Sequence, residues 1–444
     1  MFKSENLDLL FNKNYLCKIL DKTDCTNRDI IYNRIELLEK YNIDDSENKS
    51  FDVCNDAILN IRKLLDVPKT IKKLTTCIMI KDNEETILKT VKSALSISEV
   101  VLIVDTGSKD SSKKIIKNIN SEKIVLIDKD WDNDFSSIRN FLIQNCTTNW
   151  IMMLDSDEVL LEGQEQTIRD YIDLYTVNFK GYTAAFYPTI ISSDEETNLM
   201  PRIFNKSNVY YFGNCHEELR TRNFLRFNIS LPIKIIHTGY DEPEVLIEKK
   251  MRNTFLLKKC LEIEPENFRW LYFYTRDALL VEDSEKLKKL IELKLLDTNN
   301  SIKSGKNLYT EGIILNYIKI LFSIQEFDKI KVFLNSLSFE WKKNSDLFYY
   351  YSLSTILKAK SEFIDLLYEL NIEKNYNFLN SMDKEGRHLE LIKGILSYET
   401  MDYEEANRLW KELMNQKYDS QLFLSYINFL NGYVWKLGDE NNEN

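Results

Sequence analysis

The stretch WIMMLDSDEVL, Trp150 to Leu160, runs apolar residues directly into Asp155, Asp157 and Glu158. Side chains on a β-strand alternate between faces, so a strand carried through this point aims Asp155 and Asp157 the same way and Ser156 the other. Two carboxylates side by side repel unless a cation lies between them. The competing reading is a solvated strand end or a helix N-cap, in which the acids do no chemistry. Downstream, His237 ends the apolar run of IKIIHTGY and precedes a Thr-Gly turn. With Asp155 and Asp157 it makes an oxygen-plus-imidazole set suited to Mg²⁺ or Mn²⁺.

Other polar residues fall where strands end. VVLIVDTGSKDSS closes a strand at Asp105 and turns through Gly107 and Ser108, so Asp105 is either a turn acceptor or a ligand contact. IKDNEE places Asn83 and Glu84 at the mouth of the preceding strand, and Asn83 can also cap the helix that follows. WDNDFSSIRNFLIQ offers the Arg139 guanidinium and the Asn140 amide near a helix start. An arginine there pairs with surface acids, or it compensates a site that gathers carboxylates and an anionic ligand. RIFNKSNVYYFGNCHEEL supplies His216 and Glu217.

These positions need elements to hold them. TTCIMI, VVLIVD, KIVLID and WIMMLD are short apolar runs separated by helix-period stretches of crossover length. Four such strands predict a parallel sheet with helices on both faces, and a sheet of that kind binds ligands at the C-terminal ends of its strands. Residues 1–70 carry helix-period patterns closed by Pro68 and predict an N-terminal helical extension, followed by an α/β domain over 71–243. Over 244–444 long amphipathic segments dominate. QEFDKIKVFLNSL and DYEEANRLWKEL both open on an aromatic, Phe327 and Tyr403, in the manner of degenerate tetratricopeptide helices. GDENNEN reads as a solvated tail.

A net charge of −11 argues against nucleic acid or an anionic membrane as the main partner. No apolar run reaches the roughly 18 residues that span a bilayer, and MFKSENLDLL lacks the layout of a signal peptide, which predicts a cytoplasmic protein. Seven cysteines without a Cys-x-x-Cys pair read as reduced, buried residues rather than a disulfide framework.

The ordered set IKDNEE, VDTGSKDSS, NDFSSIRN, LDSDE, RIFNKSNVYYFGNCHEE, HTGY and LEIEPENFRWLYFYTRDAL, spanning about Leu74 to Leu280, resembles the inverting glycosyltransferases of family 2. It is more closely similar to the sublancin-type peptide S-glycosyltransferases, which modify cysteine in glycocin bacteriocin precursors. The resemblance implies a GT-A fold, a UDP-sugar donor (glucose or an N-acetylhexosamine) and Mg²⁺ or Mn²⁺. Carried over, Asp105 contacts uracil or ribose, Arg139 the nucleotide, Asp155 and Asp157 form the Asp-x-Asp metal motif, and His237 adds a ligand. Asn83, Glu84, Asn140 and Asp155 join the donor contacts, while His216 and Glu217 lie on the acceptor side. Cys215 departs from the small aliphatic residue expected before the His-Glu pair.

Transfer needs stabilisation of the departing diphosphate and a positioned nucleophile. Glu217 is the expected general base, with Glu158 and His216 as the other candidates. A precursor peptide also needs a docking surface, which a helical-repeat tail offers, although the same tail can instead pair two copies into a homodimer. The rival readings are a family 2 O-glycosyltransferase acting on Ser/Thr or on a cell-surface polysaccharide, and a non-catalytic tetratricopeptide scaffold.

Overall fold

A computed structural model describes residues 12–20, 25–40, 73–175, 182–192, 195–222, 225–239, 243–297, 302–303, 308–337, 341–372, 383 and 385–418. The helix expected over FDVCNDAILNIRKLLD, the tyrosine of HTGY and the acidic tail lie outside the described residues. Two compact units divide the chain, Met1–Asp277 and Ala278–Asn444.

The first unit is built on a nine-stranded sheet. Strands β1 (Leu74–Ile80), β2 (Val100–Asp105), β3 (Ile124–Asp128) and β4 (Trp150–Asp155) lie parallel in the order β3-β2-β1-β4. β1, β2 and β4 are buried along almost their whole length, which is why they read as continuous apolar runs rather than alternating ones. Their register pairs Met79 with Asp155, Ile80 with Asp105 and Asp105 with Asp128, so the strand ends stand level and present their acids along one edge.

Alternation along β4 assigns its faces. Trp150, Met152 and Leu154 join one core with the helix Ile87–Ile97, while Ile151 and Met153 join the other with the helix Phe135–Asn145. Asp155 shares the parity of Ile151 and Met153 and so falls on the side of the second helix, which carries Arg139.

Beyond Asp155 the sheet turns mixed. β4 pairs antiparallel with β8 (Ile203–Asn205), β8 antiparallel with β6 (Tyr182–Ile191), β6 parallel with β11 (Leu225–His237), and β11 antiparallel with β5 (Glu158–Leu160). β7 (Glu196–Thr197) hangs on β6. The strand does not run through the acidic cluster as its alternation suggested: it stops at Asp155, and Ser156 and Asp157 form a turn. The Ser156 carbonyl accepts from the Thr86 and Thr90 hydroxyls (3.0 and 2.9 Å), which pulls the chain out of strand geometry.

A separate hairpin of β9 (Val209–Phe212) and β10 (Glu218–Thr221) packs on the core beneath the helix Phe135–Asn145. Helices Pro243–Ile263 and Phe268–Ala278 follow and clasp it. Arg220 makes two bonds to Glu264 (2.7 and 2.8 Å), and Trp270 Nε1 donates to the same carboxylate (2.8 Å). A Cβ on Gly213 would lie 2.5 Å from the Trp270 ring, so the hairpin turn approaches that helix only because glycine stands there. These contacts tie the two helices to the first unit, whose limit at Asp277 falls later than the expected 243/244 boundary.

The second unit is helical. Thr310–Ser323 with Phe327–Ser336, and Arg387–Glu399 with Tyr403–Asn415, form two helical hairpins with the same connection. In the first, Phe327 packs on Phe322 (5.6 Å), and Gln325 adopts positive φ; in the second, Tyr403 packs on Tyr398 (5.4 Å), and Met401 does so. The two aromatics noticed in the sequence thus occupy equivalent places just after a left-handed turn. Asp402 caps its helix by accepting from Glu405 N.

Candidate active site

Asp155 is the meeting point of two arginines. Its Oδ1 accepts from Arg139 Nη2 (2.8 Å) and its Oδ2 from Arg202 Nη2 (2.6 Å). Arg139 also donates through Nε to Glu217, and Arg202 also pairs with Glu158. Burial alone would raise the Asp155 pKa, but the guanidiniums of Arg202 and Arg139 outweigh it and hold the carboxyl well below the usual carboxylate range. Glu158 goes the other way: burial pushes it up, Arg202 opposes the rise and Asp155 adds to it. Only 2% of its side chain is exposed, and its second oxygen accepts from Asp155 N (3.1 Å). Glu158 therefore braces the end of β4. Glu217, turned toward Arg139, is neutralised by the guanidinium that also serves Asp155.

Asp157 has a different neighbour. The register of β11 against β5 places His237 opposite Glu158, at the turn. The Thr238 amide and hydroxyl both donate to the Asp157 carbonyl (2.8 and 2.9 Å), and His237 Nδ1 lies 3.4 Å from Asp157 Oδ1. The hydrogen bond to Asp157 raises the His237 pKa against the effect of partial burial. A Cβ on Gly239 would stand 2.6 Å from Asp157 Oδ2 and 3.2 Å from the His237 ring, so glycine keeps the space between carboxylate and imidazole clear. The three expected metal ligands are not gathered: Asp157 and His237 meet, Asp155 faces the arginines, and among the described residues no cluster of three His, Cys, Asp or Glu could hold an ion. Asp157 with His237 is a hard oxygen and a borderline nitrogen, a donor pair that fits Mg²⁺ or Mn²⁺ completed by ligand oxygens.

The other expected donor contacts have partners of their own. Gly107 N and Ser108 N donate to Asp105 Oδ1 (3.1 and 2.8 Å), and Lys113 Nζ lies 3.5 Å from Oδ2. Burial opposes ionisation of Asp105, yet these amides and Lys113 lower its pKa. Asn83 Oδ1 accepts from Lys81 N (2.9 Å), and its side chain does not cap the helix Ile87–Ile97, whose N-cap is Thr86. Glu84 Oε2 accepts from Ser111 N (2.8 Å), and Glu84 N donates to Asp110 (2.9 Å). The loops after β1 and β2 are thereby stitched together at the mouth of the sheet. Asn140 binds both backbone groups of Tyr211 (2.9 and 2.8 Å), fixing the hairpin to its helix.

His216 occupies the turn of that hairpin with φ +50°. Its ring stacks on Phe273 (4.3 Å between centroids, 11° between planes), and its Nε2 lies 3.1 Å from Asp277 Oδ2. Cys215 beside it is buried, and burial pushes its thiol far up, so it is a packing residue rather than a nucleophile. Arg202 and Asp277 are the site residues that motif spacing did not single out. Both lie inside stretches that resemble the family, RIF and RDAL, but an arginine before a strand and an acid in a helix look ordinary until their partners are known.

Residues 75–227 match the family described as Glycosyl transferase family 2. The chain is 24% identical to the SPbeta prophage-derived glycosyltransferase SunS of Bacillus subtilis (strain 168) over 363 residues, which is 79% of this chain and 82% of that protein. A TPR repeat-containing protein of Synechococcus elongatus is 29% identical over 101 residues, 23% of this chain and 24% of that one. A crystal structure of S. aureus TarS 1-349 superposes with a TM-score of 0.31 at 10% identity, covering 70% of this chain and 95% of the other, too distant to carry an argument. Residues 75–227 thus form a family 2 glycosyltransferase domain of GT-A fold, with a helical region after it.

Proposed function

We propose that this protein transfers a sugar from a UDP-sugar to the cysteine thiol of a glycocin-type precursor peptide, with Asp157 and His237 holding a divalent cation on the donor diphosphate. The observation that carries this reading is the Asp157–His237 pair, kept open by Gly239 at the carboxyl edge of the parallel strands in a family 2 domain. Similarity to the glycosyltransferase SunS over most of both chains supports sugar transfer, and the resemblance of the motifs to the peptide S-glycosyltransferases supports cysteine as the acceptor.

The ion, when bound, supplies Lewis-acid stabilisation of the diphosphate that leaves. Arg139 and Arg202 keep Asp155 ionised and fixed, and Glu158 holds the end of β4 beneath it. A thiol demands less from a base than a hydroxyl does, but with a free pKa of ~8.5 only a few per cent of it is ionised at neutral pH, so a positioned proton acceptor still contributes. The acceptor peptide docks on the helical region, whose paired helices are of the kind that helical-repeat proteins stack to bind extended chains.

The experiment is to incubate the protein, UDP-glucose or UDP-N-acetylglucosamine, and Mn²⁺ with matched peptides containing cysteine or serine, and to read intact mass. Modification of cysteine, lost in excess EDTA, is expected. Exclusive modification of serine would make the protein an O-glycosyltransferase, and full activity in EDTA would remove the metal.

A further inference from the structure

Two groups compete for one nitrogen of His216. Asp277 Oδ2 lies 3.1 Å from Nε2 and Arg276 Nη2 lies 3.0 Å from it. A carboxylate only accepts and a guanidinium only donates, so the two partners demand opposite tautomers. If Nε2 carries the proton it bonds Asp277, and Nδ1 keeps its lone pair. If Nε2 accepts from Arg276, the proton sits on Nδ1 and the ring has no basic nitrogen left to offer.

The surroundings favour Asp277. Its side chain is 3% exposed, Arg276 Nε donates to Oδ1 (2.9 Å), and Asn253 Nδ2 donates to Oδ2 (3.3 Å), so the carboxylate is held in place from two helices. Arg269 donates to the His216 carbonyl (2.7 Å), and the stacked Phe273 ring fixes the imidazole plane. The backbone takes a left-handed φ of +50° at His216, a residue with a Cβ, to put the ring there. Nδ1 has no protein partner among the described residues. Glu217, the neighbouring candidate base, is already committed to Arg139.

We propose that Asp277 is a positioning residue that holds His216 in the Nε2–H tautomer, leaving Nδ1 to take the proton of the acceptor. This rests on the transfer reading above. As the acceptor sulfur bonds the anomeric carbon, its proton passes to Nδ1. The bond from that carbon to the diphosphate oxygen breaks, with its electron pair leaving on the nucleoside diphosphate. Imidazolium then returns the proton to solvent after product leaves.

The sequence has three histidines, so ¹⁵N-histidine spectra are tractable with His216→Gln to assign its signals. Wild type should show His216 as the Nε2–H tautomer, and Asp277→Asn should convert it to Nδ1–H. The same variant should lower kcat with a cysteine peptide by roughly 10²-fold at neutral pH. It should leave KM for the UDP-sugar unchanged, and the loss should shrink toward pH 9 as the thiol ionises unaided. The double variant His216→Gln/Asp277→Asn should be no slower than His216→Gln alone. An Nδ1–H tautomer in wild type, an unaltered rate in Asp277→Asn, or losses that multiply in the double variant would each overturn the proposal. Should Asp277→Asn fail to fold, wild-type kcat in His216→Gln overturns it by itself. If wild type modifies no peptide at all, the transfer reading fails while the tautomer measurement still stands.

Discussion

Asp155 and Asp157 are separated by one serine and are almost equally exposed, 34% and 29% by side chain, yet their surroundings have little in common. Around Asp155 two guanidiniums face three carboxylates, Asp155, Glu158 and Glu217, and each Asp155 oxygen accepts a charged hydrogen bond. Around Asp157 the recorded partner is a single imidazole at 3.4 Å, with a glycine holding the space beside it open. Exposure does not separate the two carboxylates; charge compensation does. A carboxylate that already has its cations contributes to architecture, and one that lacks them is free to take a ligand.

The comparison can be broken most sharply at Asp157. Asp157→Ala should reduce sugar transfer on the order of 10³-fold, the scale of losing a principal electrostatic stabiliser, with the melting transition nearly unmoved. Removing divalent ions with EDTA should bring wild type down to the same rate and change the variant no further. Equal rates for variant and wild type would mean that the open carboxylate is idle.

At Asp155 the expected effect is on stability. Arg202→Met leaves Glu158 buried without its cation and removes half the compensation of Asp155, which should cost about 3–5 kcal/mol in urea denaturation. Adding Glu158→Leu should return much of that loss, since an apolar pair can replace a buried ion pair. If Arg202→Met unfolds at the wild-type urea concentration, the cluster is not structural.

Gly239→Ala sharpens the contrast without touching charge. Its Cβ must displace Asp157 Oδ2 or the His237 ring. Apparent Mn²⁺ affinity should fall about tenfold, the lower end for disturbing the surroundings of a ligand, measured by titrating activity against the ion. Asp105→Asn should do least. The amide oxygen can still accept from Gly107 and Ser108, so the stability change should stay within about 1 kcal/mol, read by thermal melting. A large fall in UDP-sugar affinity for this variant would make Asp105 a donor contact and place it beside Asp157.

Much of the first half of the sheet was legible in the chain. TTCIMI, VVLIVD and WIMMLD became β1, β2 and β4 because strands buried on both faces must be apolar throughout, KIVLID became the partly exposed edge strand β3, and the helices between them are long enough to cross over in parallel register. His237 could be placed at a strand end for the same reason, and Phe327 and Tyr403 at helix starts. The step from Asp155 to Asp157 was misleading. Alternation holds only while the strand continues, and the Thr86 and Thr90 hydroxyls, far back in the chain, end it at Ser156. Asn140 and Glu158 have the residue types of a binding site and are used to fasten a hairpin and brace a strand.

The sequence by itself determined where chain segments are buried, how they repeat and which polar residues stand at their ends, since hydrophobic period and turn chemistry are local properties of a few neighbouring residues. Tertiary structure alone decided which of those residues answer one another. Arg202 reaches Asp155 from just before β8, the strand paired with β4, His237 reaches Asp157 through the register of β11 on β5, and Asp277 reaches His216 from a helix beyond the family match. Coulomb energy and hydrogen bonding change over a few ångströms, and those ångströms are set by packing between segments that are distant in the chain.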